Sequence, residues 1–204
     1  MRTVLAVGSP KDEIAAWAAA LKNDGAAFAV IFDHHHNRVF HHALRMTANV
    51  HDAEDVTAAA FLELWRRRKS VRVVDDSVLP WLLVTTTNLS RNLTRGLRRH
   101  RTFIASLPRA VEGRSAEDLA VEHIEVLQRA AQIREALSTL TPADSALIAL
   151  TTFENFSSAQ VAVALGISEG AARTRLHRAR ARVATALDSL APAGNDTQTK
   201  ENGR

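Results

Sequence analysis

Two capped helices joined by a single glycine, near the C-terminus, are the feature that most constrains the fold of this chain. Ser157, followed by Gln160 three residues later, has the pattern of a capping box at a helix start. Gly166 suits the end of that helix, and Ser168 suits the cap of the next one. Ala162 is small enough for the two helices to pack closely. The spacing therefore predicts a helix-turn-helix.

The second helix of this motif has two unlike faces. Apolar side chains at helical spacing form one narrow stripe: Ala172, Leu176, Ala179, Val183 and Leu187. The opposite face is small, polar and cationic: Ala171, Thr174, His177 and Arg178, flanked by Arg175. A helix of this kind fits a major groove about 12 Å wide and can contact base edges and phosphates. An ordinary helical hairpin is the alternative interpretation of the same spacing.

The rest of the chain is also suited to helices. Only 8 of its 204 residues are Gly and 5 are Pro, and Tyr is absent, so an all-α fold is predicted. The absence of Cys excludes disulfides, thiolate zinc sites and cysteine nucleophiles, and favours a cytoplasmic location. The longest uncharged stretches, 78–90 and 156–168, contain polar residues and fall short of the roughly 20 apolar residues of a membrane span, so none is expected.

Charge is distributed unevenly along the chain. Residues 66–101 contain ten Lys and Arg residues against two Asp, and residues 171–187 contain five Arg and no acid. Between them, residues 112–125 carry five carboxylates against one Arg. Two cationic helical regions favour a polyanion held at two places, because each neutralised phosphate releases condensed counterions. Solvated helix faces are the alternative explanation for either run taken alone.

Helix starts and breaks divide the chain into two small helical domains joined by an acidic linker. Asp52, with further carboxylates in the first turn, is predicted to start a helix of the first domain. Pro80 is the expected first residue of a basic helix, and Thr141 with Pro142 suits another helix start. The expected ranges are 1–23 for an N-terminal extension, 24–104 for the first domain, 105–127 for the linker, 128–190 for the helix-turn-helix domain and 191–204 for a disordered tail.

Several segments taken together resemble a known family. Residues 140–144 and 156–180 are similar to the C-terminal, promoter-reading domain of bacterial RNA polymerase sigma factors of the extracytoplasmic-function type. Segments of the N-terminal half resemble that family's other domain: Phe32-Asp33, Arg38–Phe40, His51–Asp55, Ala60–Trp65 and Pro80–Leu83 with Asn88. The matches come in the family's order and cover about residues 24–187. The resemblance implies a transcription initiation factor that is not an enzyme.

The resemblance also implies a role for each segment. Core RNA polymerase is expected to bind the helix that carries Asp52, Asp55, Phe61 and Trp65. The helix that begins at Pro80 is expected to capture and melt the minus-ten promoter element. The residues expected to contact this element are Trp81, Asn88, Asn92, Arg95 and Arg98. The minus-thirty-five element is expected to contact Arg173, Thr174, Arg175, His177 and Arg178. The expected partners are core RNA polymerase and promoter DNA, with a monomeric free chain, an anti-sigma protein left open, and no cofactor.

Three departures from the family's pattern bear on affinity. Ala58-Ala59 stands where Gln-Glu is common, which removes polar contacts expected with polymerase. Asn92 stands where an Asp is usual in the minus-ten helix, and Ala171-Ala172 stands where the recognition helix usually has Thr-Val. These differences affect the expected strength of binding more than the class of protein.

Other functions remain open from the residues alone. A stand-alone dimeric helix-turn-helix regulator would read palindromic half-sites about one helical turn apart. An interaction protein that folds with a partner helix would need no basic recognition face. The chain has no phosphate-binding glycine loop and no nucleophile-elbow motif, so catalysis by this chain alone is not predicted.

Five histidines lie close together, at positions 34–36, 41 and 42. Consecutive helical residues point in different directions, and no His-Glu pattern of a hydrolytic zinc site completes them. These histidines are therefore expected to be exposed polar residues, and no metal site is predicted.

Overall fold

The architecture is built from eight α-helices in a computed structural model that describes residues 10–105 and 121–190, with side chains at 12–97, 99 and 128–189. The all-α fold class is confirmed. The first nine residues, residues 106–120 of the expected linker and the expected tail at 191–204 lie outside the described residues. The helices are α1 (Pro10–Ala20), α2 (Gly25–Thr47), α3 (Val50–Arg67), α4 (Leu79–Ala105), α5 (Val121–Thr139), α6 (Pro142–Phe153), α7 (Ser158–Leu165) and α8 (Glu169–Leu190), with a 3₁₀ turn at Arg68–Ser70 after α3.

Local caps explain where the N-terminal helices begin. The Asp24 carboxylate accepts hydrogen bonds from the backbone N–H groups of Ala26 and Ala27 and begins α2. The predicted start of α3 at Asp52 is wrong. The cap is Asn49, whose side-chain oxygen accepts from the Asp52 N–H at 3.0 Å, because the amide oxygen reaches the third residue of the helix as well as a carboxylate does.

Helices α1 to α4 form the first unit around an apolar centre. Ile31, Leu64 and Leu82 are fully buried in it. Helix α1 lies inside the range that the sequence assigns to an extension, yet its Trp17 is buried and α1 packs against α2. The described part of this extension therefore contributes to the core of the first unit.

Helices α5 to α8 form the second unit, and α7 and α8 are the predicted helix-turn-helix. Both bonds of the capping box are present, from the Gln160 N–H to the Ser157 hydroxyl at 3.2 Å and from the Ser157 N–H to the Gln160 side-chain oxygen at 2.8 Å. Gly166 ends α7 with φ at 70°, a left-handed conformation that favours glycine. The Arg72 guanidinium of the first unit lies where a side chain at Gly166 would be.

The two units pack against each other. Helix α4 contacts α6 and α7, and buried residues of both units, among them Leu83 and Leu147, belong to one continuous hydrophobic cluster. Arg91 is buried and its guanidinium donates a hydrogen bond to the Leu140 carbonyl. The sequence predicts two helical domains joined by a linker, and in the structure these two units are docked on each other. Across residues 10–105 and 121–190, no helix combines the length and apolar character needed to span a bilayer.

Candidate nucleic-acid interface

Helix α8, the second helix of the helix-turn-helix, presents the face that the sequence predicts. Ser168 caps it by accepting a hydrogen bond from the Ala171 N–H at 3.2 Å. Ala172, Leu176 and Ala179 are buried against α6 and α7. All five residues assigned to the minus-thirty-five element are exposed: Arg173, Thr174, Arg175, His177 and Arg178. The sequence pattern therefore placed both faces of this helix correctly.

Weak ion pairs leave the cations of α8 available. Arg173 lies 3.8 Å from Glu169 of its own helix, and both side chains are more than half exposed. Arg182 lies 3.6 Å from Asp144 of α6. The exposed Arg173–Glu169 pair contributes about 0–1 kcal/mol, so a phosphate can replace Glu169 at little cost, whereas Arg182 has a buried partner in Asp144. The helix keeps a cationic surface beside its small and polar residues.

A second polar face runs along α4. Trp81, Asn88, Asn92 and Arg95 are separated by seven, four and three residues, which places them on one side of a helix. Trp81 and Asn88 are half-buried, whereas Asn92 and Arg95 are exposed. The Arg98 side chain lies outside the described residues. Helical spacing extends this face to an exposed cation that the prediction omitted, Arg99.

A groove of about 410 Å³ lies between this face of α4 and the end of α3. Trp81 and Asn88 line it from α4, and Leu62 and Arg66 line it from α3. The Asn88 side-chain oxygen is buried and has no hydrogen-bond partner among the described residues. Thr85 also lines the groove, and neither Thr85 nor Arg66 was assigned to the site from the sequence. Thr85 lies one helical turn after Trp81, and this spacing was the available signal for it.

The loop between α3 and α4 is anchored from α1. Its tip is tight: Val74 and Ser77 exchange two backbone hydrogen bonds at 3.0 Å, and Asp75 and Asp76 between them have left-handed φ values of 47° and 63°. The loop's end is held by Glu13, whose Oε1 accepts from the Ser77 hydroxyl at 2.9 Å and the Val78 N–H at 2.8 Å. The loop thus enters α4 in a defined position.

Glu13 is itself a buried carboxylate held by a histidine. His35, also buried, donates from Nε2 to Glu13 Oε1 at 2.8 Å. Burial raises the pKa of Glu13, but the hydrogen bond and charge of His35, together with those from Val78 and Ser77, outweigh it and hold the pKa below its usual value. The residue is therefore charged in the folded protein near neutral pH.

The residues assigned to polymerase binding on α3 divide into two groups. Asp55 is exposed, and Asp52 and Trp65 are half-buried. Trp65 packs edge-on against Phe28 at 5.0 Å and lies under the Arg68 guanidinium. The assignment of Phe61 as a contact residue is wrong, because it is only 3% exposed and packs against Phe32 in the core of the first unit. Leu62, its neighbour, is 57% exposed and takes the outward position.

A buried carboxylate joins the two units. Glu154, just after α6, accepts hydrogen bonds from Arg38 Nε at 3.0 Å, from His42 Nδ1 at 2.9 Å and from Arg45. The other ring nitrogen of His42, Nε2, hydrogen-bonds with the Thr87 hydroxyl at 2.8 Å, so both ring nitrogens have a partner. Burial raises the pKa of Glu154, but hydrogen bonds from His42 and Arg38 outweigh it and lower the pKa.

The expectation of exposed histidines is therefore wrong for His35 and His42, and His36 is half-buried. His35 and His42 are 3% and 0% exposed. Each is buried because a carboxylate from another part of the chain, Glu13 or Glu154, accepts its hydrogen bond. A polar group with a partner can be buried at little cost, whereas one without a partner cannot. His41 is exposed, as the sequence predicts.

The all-α fold contains a helix-turn-helix and carries two cationic faces, and together these features define a protein of the DNA-binding class. The chain matches the family model "Sigma-70 region 2" over residues 31–101 and "Sigma-70, region 4" over residues 130–183. It is 30% identical over 174 residues to the extracytoplasmic-function (ECF) RNA polymerase sigma factor SigM of Mycobacterium tuberculosis, an alignment that covers 85% of this chain and 83% of that protein. The chain belongs to the ECF sigma factors of the sigma-70 family, as the sequence predicts.

One further relative agrees with this family, and one solved structure agrees with the fold. The chain is 32% identical over 164 residues to the ECF RNA polymerase sigma factor SigE of Mycolicibacterium smegmatis, covering 80% of this chain and 61% of that protein, so it spans about three fifths of that relative's length. A solved structure of CnrH in complex with the cytosolic domain of CnrY superimposes with a TM-score of 0.55 at 21% identity, covering 87% of this chain and 98% of CnrH. This last likeness shows the fold.

Proposed function

We propose that this chain is a transcription initiation factor that binds core RNA polymerase and directs it to promoters, reading one element with each unit and aiding promoter melting. The observation that carries the proposal is the pair of exposed polar and cationic faces, one on α4 and one on α8, on separate units of the same chain. A polyanion contacted at two places matches this arrangement. The polymerase, acting in the cytoplasm, supplies the chemistry.

The helix α8 is proposed to read the minus-thirty-five element in the major groove. Arg178 and Thr174 lie opposite the buried stripe, so they point most directly away from the unit. An arginine there can donate two hydrogen bonds to a guanine edge, and neighbouring arginines can contact phosphates. Arg173 and Arg175 flank this centre and suit the phosphate role.

The groove beside α4 is proposed to receive an unstacked base of the minus-ten element. Trp81 offers a ring for stacking, and the unpartnered Asn88 amide offers a hydrogen-bonding group that a base edge can satisfy. Arg66 at the rim, with Arg95 and Arg99 further along α4, supplies cations for the strand's phosphates. Holding a base outside the stack lowers the cost of melting the duplex next to it.

Helix α3 is proposed to dock on core polymerase through its outward side. Asp52 and Asp55 supply charge at its first turn, Leu62 supplies exposed apolar surface, and Ala58-Ala59 makes the middle of the surface less polar than is common in the family. The free chain is proposed to be a monomer. A protein that covered one of these faces would act as an anti-sigma factor.

Docking of the two units does not block either DNA-binding face. Leu83 lies on the side of α4 opposite Trp81 and Asn88, and Thr87 and Arg91 lie on the flank next to it; all three are buried within the protein. The groove and the α8 face are thus both accessible with the units in contact. This supports a factor that meets promoter DNA without first unfolding its own interface.

Transcription of genomic DNA by core RNA polymerase, with and without the full chain, tests the proposal. Sequencing the 5′ ends of the transcripts should reveal start sites that need the chain and share two upstream elements. Transcripts whose starts do not change when the chain is added would contradict the proposal. Sedimentation separates the alternative: a stable dimer that binds a palindromic DNA without polymerase would favour the stand-alone regulator.

A further inference from the structure

Three metal-ligating side chains meet at the junction of α1 and α2, next to the loop that enters α4. We propose that Glu13, His34 and His35 form a binding site for one divalent transition-metal ion of the zinc, cobalt and nickel class. Two imidazoles and one carboxylate are the donor set of many three-ligand zinc sites, which keep a further position for water. This inference concerns the free chain and does not depend on the function proposed above.

The geometry brings the donor atoms together from two helices. One ligand atom from each residue lies within 4.8 Å of the others. His34 Nε2 lies 3.8 Å from Glu13 Oε2, His35 Nε2 lies 2.8 Å from Glu13 Oε1, and the two rings meet edge-on at 4.6 Å. Bonds of about 2.0–2.2 Å to zinc place donors of one ion about 3–4 Å apart, so a shift of about 1 Å completes the set.

Two of the three proposed ligands are buried and one is partly exposed, which suits a metal site that an ion enters from solvent. Glu13 and His35 are buried and fixed, whereas the His34 side chain is 30% exposed. His34 can therefore supply the small movement that closes the site, and its exposed side gives an ion a route from solvent. To bind the ion through Nε2, His35 would have to be neutral with its ring proton on Nδ1, any second ring proton being released to solvent.

Glu13 already has the hydrogen bonds that orient a ligand carboxylate. Its Oε1 accepts from the Ser77 hydroxyl and the Val78 N–H, which fixes the carboxyl group and leaves Oε2 directed at His34. Groups that hold a ligand in this way typically change metal affinity by about 10–100-fold. Because Ser77 and Val78 end the loop that enters α4, a bound ion would connect α1, α2 and this loop rigidly.

Titration of the metal-free full chain with Co²⁺ and then Zn²⁺ tests the site. We expect one ion per chain, visible absorption typical of four- or five-coordinate Co²⁺, and displacement of Co²⁺ by Zn²⁺. His34→Asn should weaken binding at least 10-fold, and its partial exposure makes it the variant most certain to fold. His41→Asn removes an exposed imidazole of the same helix that lies outside the cluster, so it should bind like the unchanged chain.

Thermal unfolding gives a second readout that needs no spectrum. Saturating Zn²⁺ should raise the melting temperature of the unchanged chain and of His41→Asn, because an ion that binds only the folded state stabilises it, and should do so much less for His34→Asn. Glu13→Gln should also lose binding. The proposal is overturned if no ion binds, if His34→Asn binds like the unchanged chain, or if His41→Asn weakens binding equally, which would indicate scattered surface imidazoles.

Discussion

At the scale of single residues, the exposed arginines of α8 have the same charge but point in different directions. Arg178 lies opposite the buried stripe of Ala172 and Leu176, whereas Arg180 lies on the other flank of the helix. Both side chains are exposed, so neither contributes much to the stability of the fold. Any difference between them in promoter binding must therefore come from their position relative to the DNA.

The change Arg178→Ala should weaken recognition of the minus-thirty-five element by about 1–3 kcal/mol, or about 5–150-fold. The reason is the loss of hydrogen bonds to a base edge. Binding of the polymerase complex to promoter fragments, with that element intact or scrambled, measures the effect. Arg180→Ala removes the same charge on the other flank and serves as the control. Equal losses on intact and scrambled fragments would show that Arg178 contacts only the phosphate backbone.

At the scale of helices and turns, Gly166 has a conformation and a neighbour that other residues do not tolerate. Its φ is 70°, and the Arg72 guanidinium occupies the space of a side chain. Gly166→Ala should therefore lower the free energy of unfolding by about 1–2 kcal/mol, measured by urea denaturation. Gly170→Ala, where nothing lies near the added carbon in α8, should leave stability equal or raise it by up to about 1 kcal/mol.

In the groove between α3 and α4, a substitution of Asn88 should separate the stability of the fold from promoter opening. The buried oxygen of Asn88 has no hydrogen-bond partner among the described residues, so Asn88→Ala removes an unsatisfied group and should not lower the melting temperature. Promoter opening should nevertheless fall, because the group proposed to contact an unstacked base is gone. Permanganate footprinting of the melted strand measures this. Asn37→Ala, on the exposed side of α2, is the control and should change neither property. If Asn88→Ala lowers the melting temperature but leaves promoter opening normal, Asn88 does not contact the unstacked base.

Local patterns predicted the helices well, and long-range partners explain what they missed. The capping box of Ser157 and the stripe of α8 involve residues three or four apart, so the sequence contains the whole interaction. The burial of His35 and His42 depends on Glu13 and Glu154, which lie 22 and 112 positions away. Phe61 was misassigned for a different reason: the resemblance to the family implied a contact role, although its helical spacing with the buried Ala60 and Leu64 already placed it on the inward stripe.

At the scale of the whole molecule, Glu154 connects the units through charges that depend on pH. The groups that face it are Arg38, His42 and Arg45 of α2. Because its pKa is lowered in the folded protein, its contribution to stability is complete above its unfolded value of about 4.5 and is lost as the pH falls through the lower folded value. Glu13 has a shift in the same direction and the same consequence.

The free energy of unfolding should therefore decline as the pH is lowered below about 4.5, measured by urea denaturation at a series of pH values. Glu154→Gln should lower stability near neutral pH, because it leaves Arg38, Arg45 and the buried His42 ring without the carboxylate that they share, and should make the acid decline shallower. Glu169→Gln removes an exposed carboxylate and should change neither. An acid decline of equal steepness in Glu154→Gln would contradict the role given to this residue.

Helix α4 has one side that is proposed to face nucleic acid and another side that packs against the second unit, and this limits how sigma factors of this kind can be recombined. A hybrid that receives its C-terminal half from a relative keeps the proposed promoter-contacting side of α4 but meets a foreign surface at Arg91 and at the ion pairs around Glu154. A hybrid that also receives the relative's residues on the packed side of α4, and the α2 residues that pair with Glu154, should have its two units docked. A hybrid in which only the part after the linker is exchanged should have units that dock poorly.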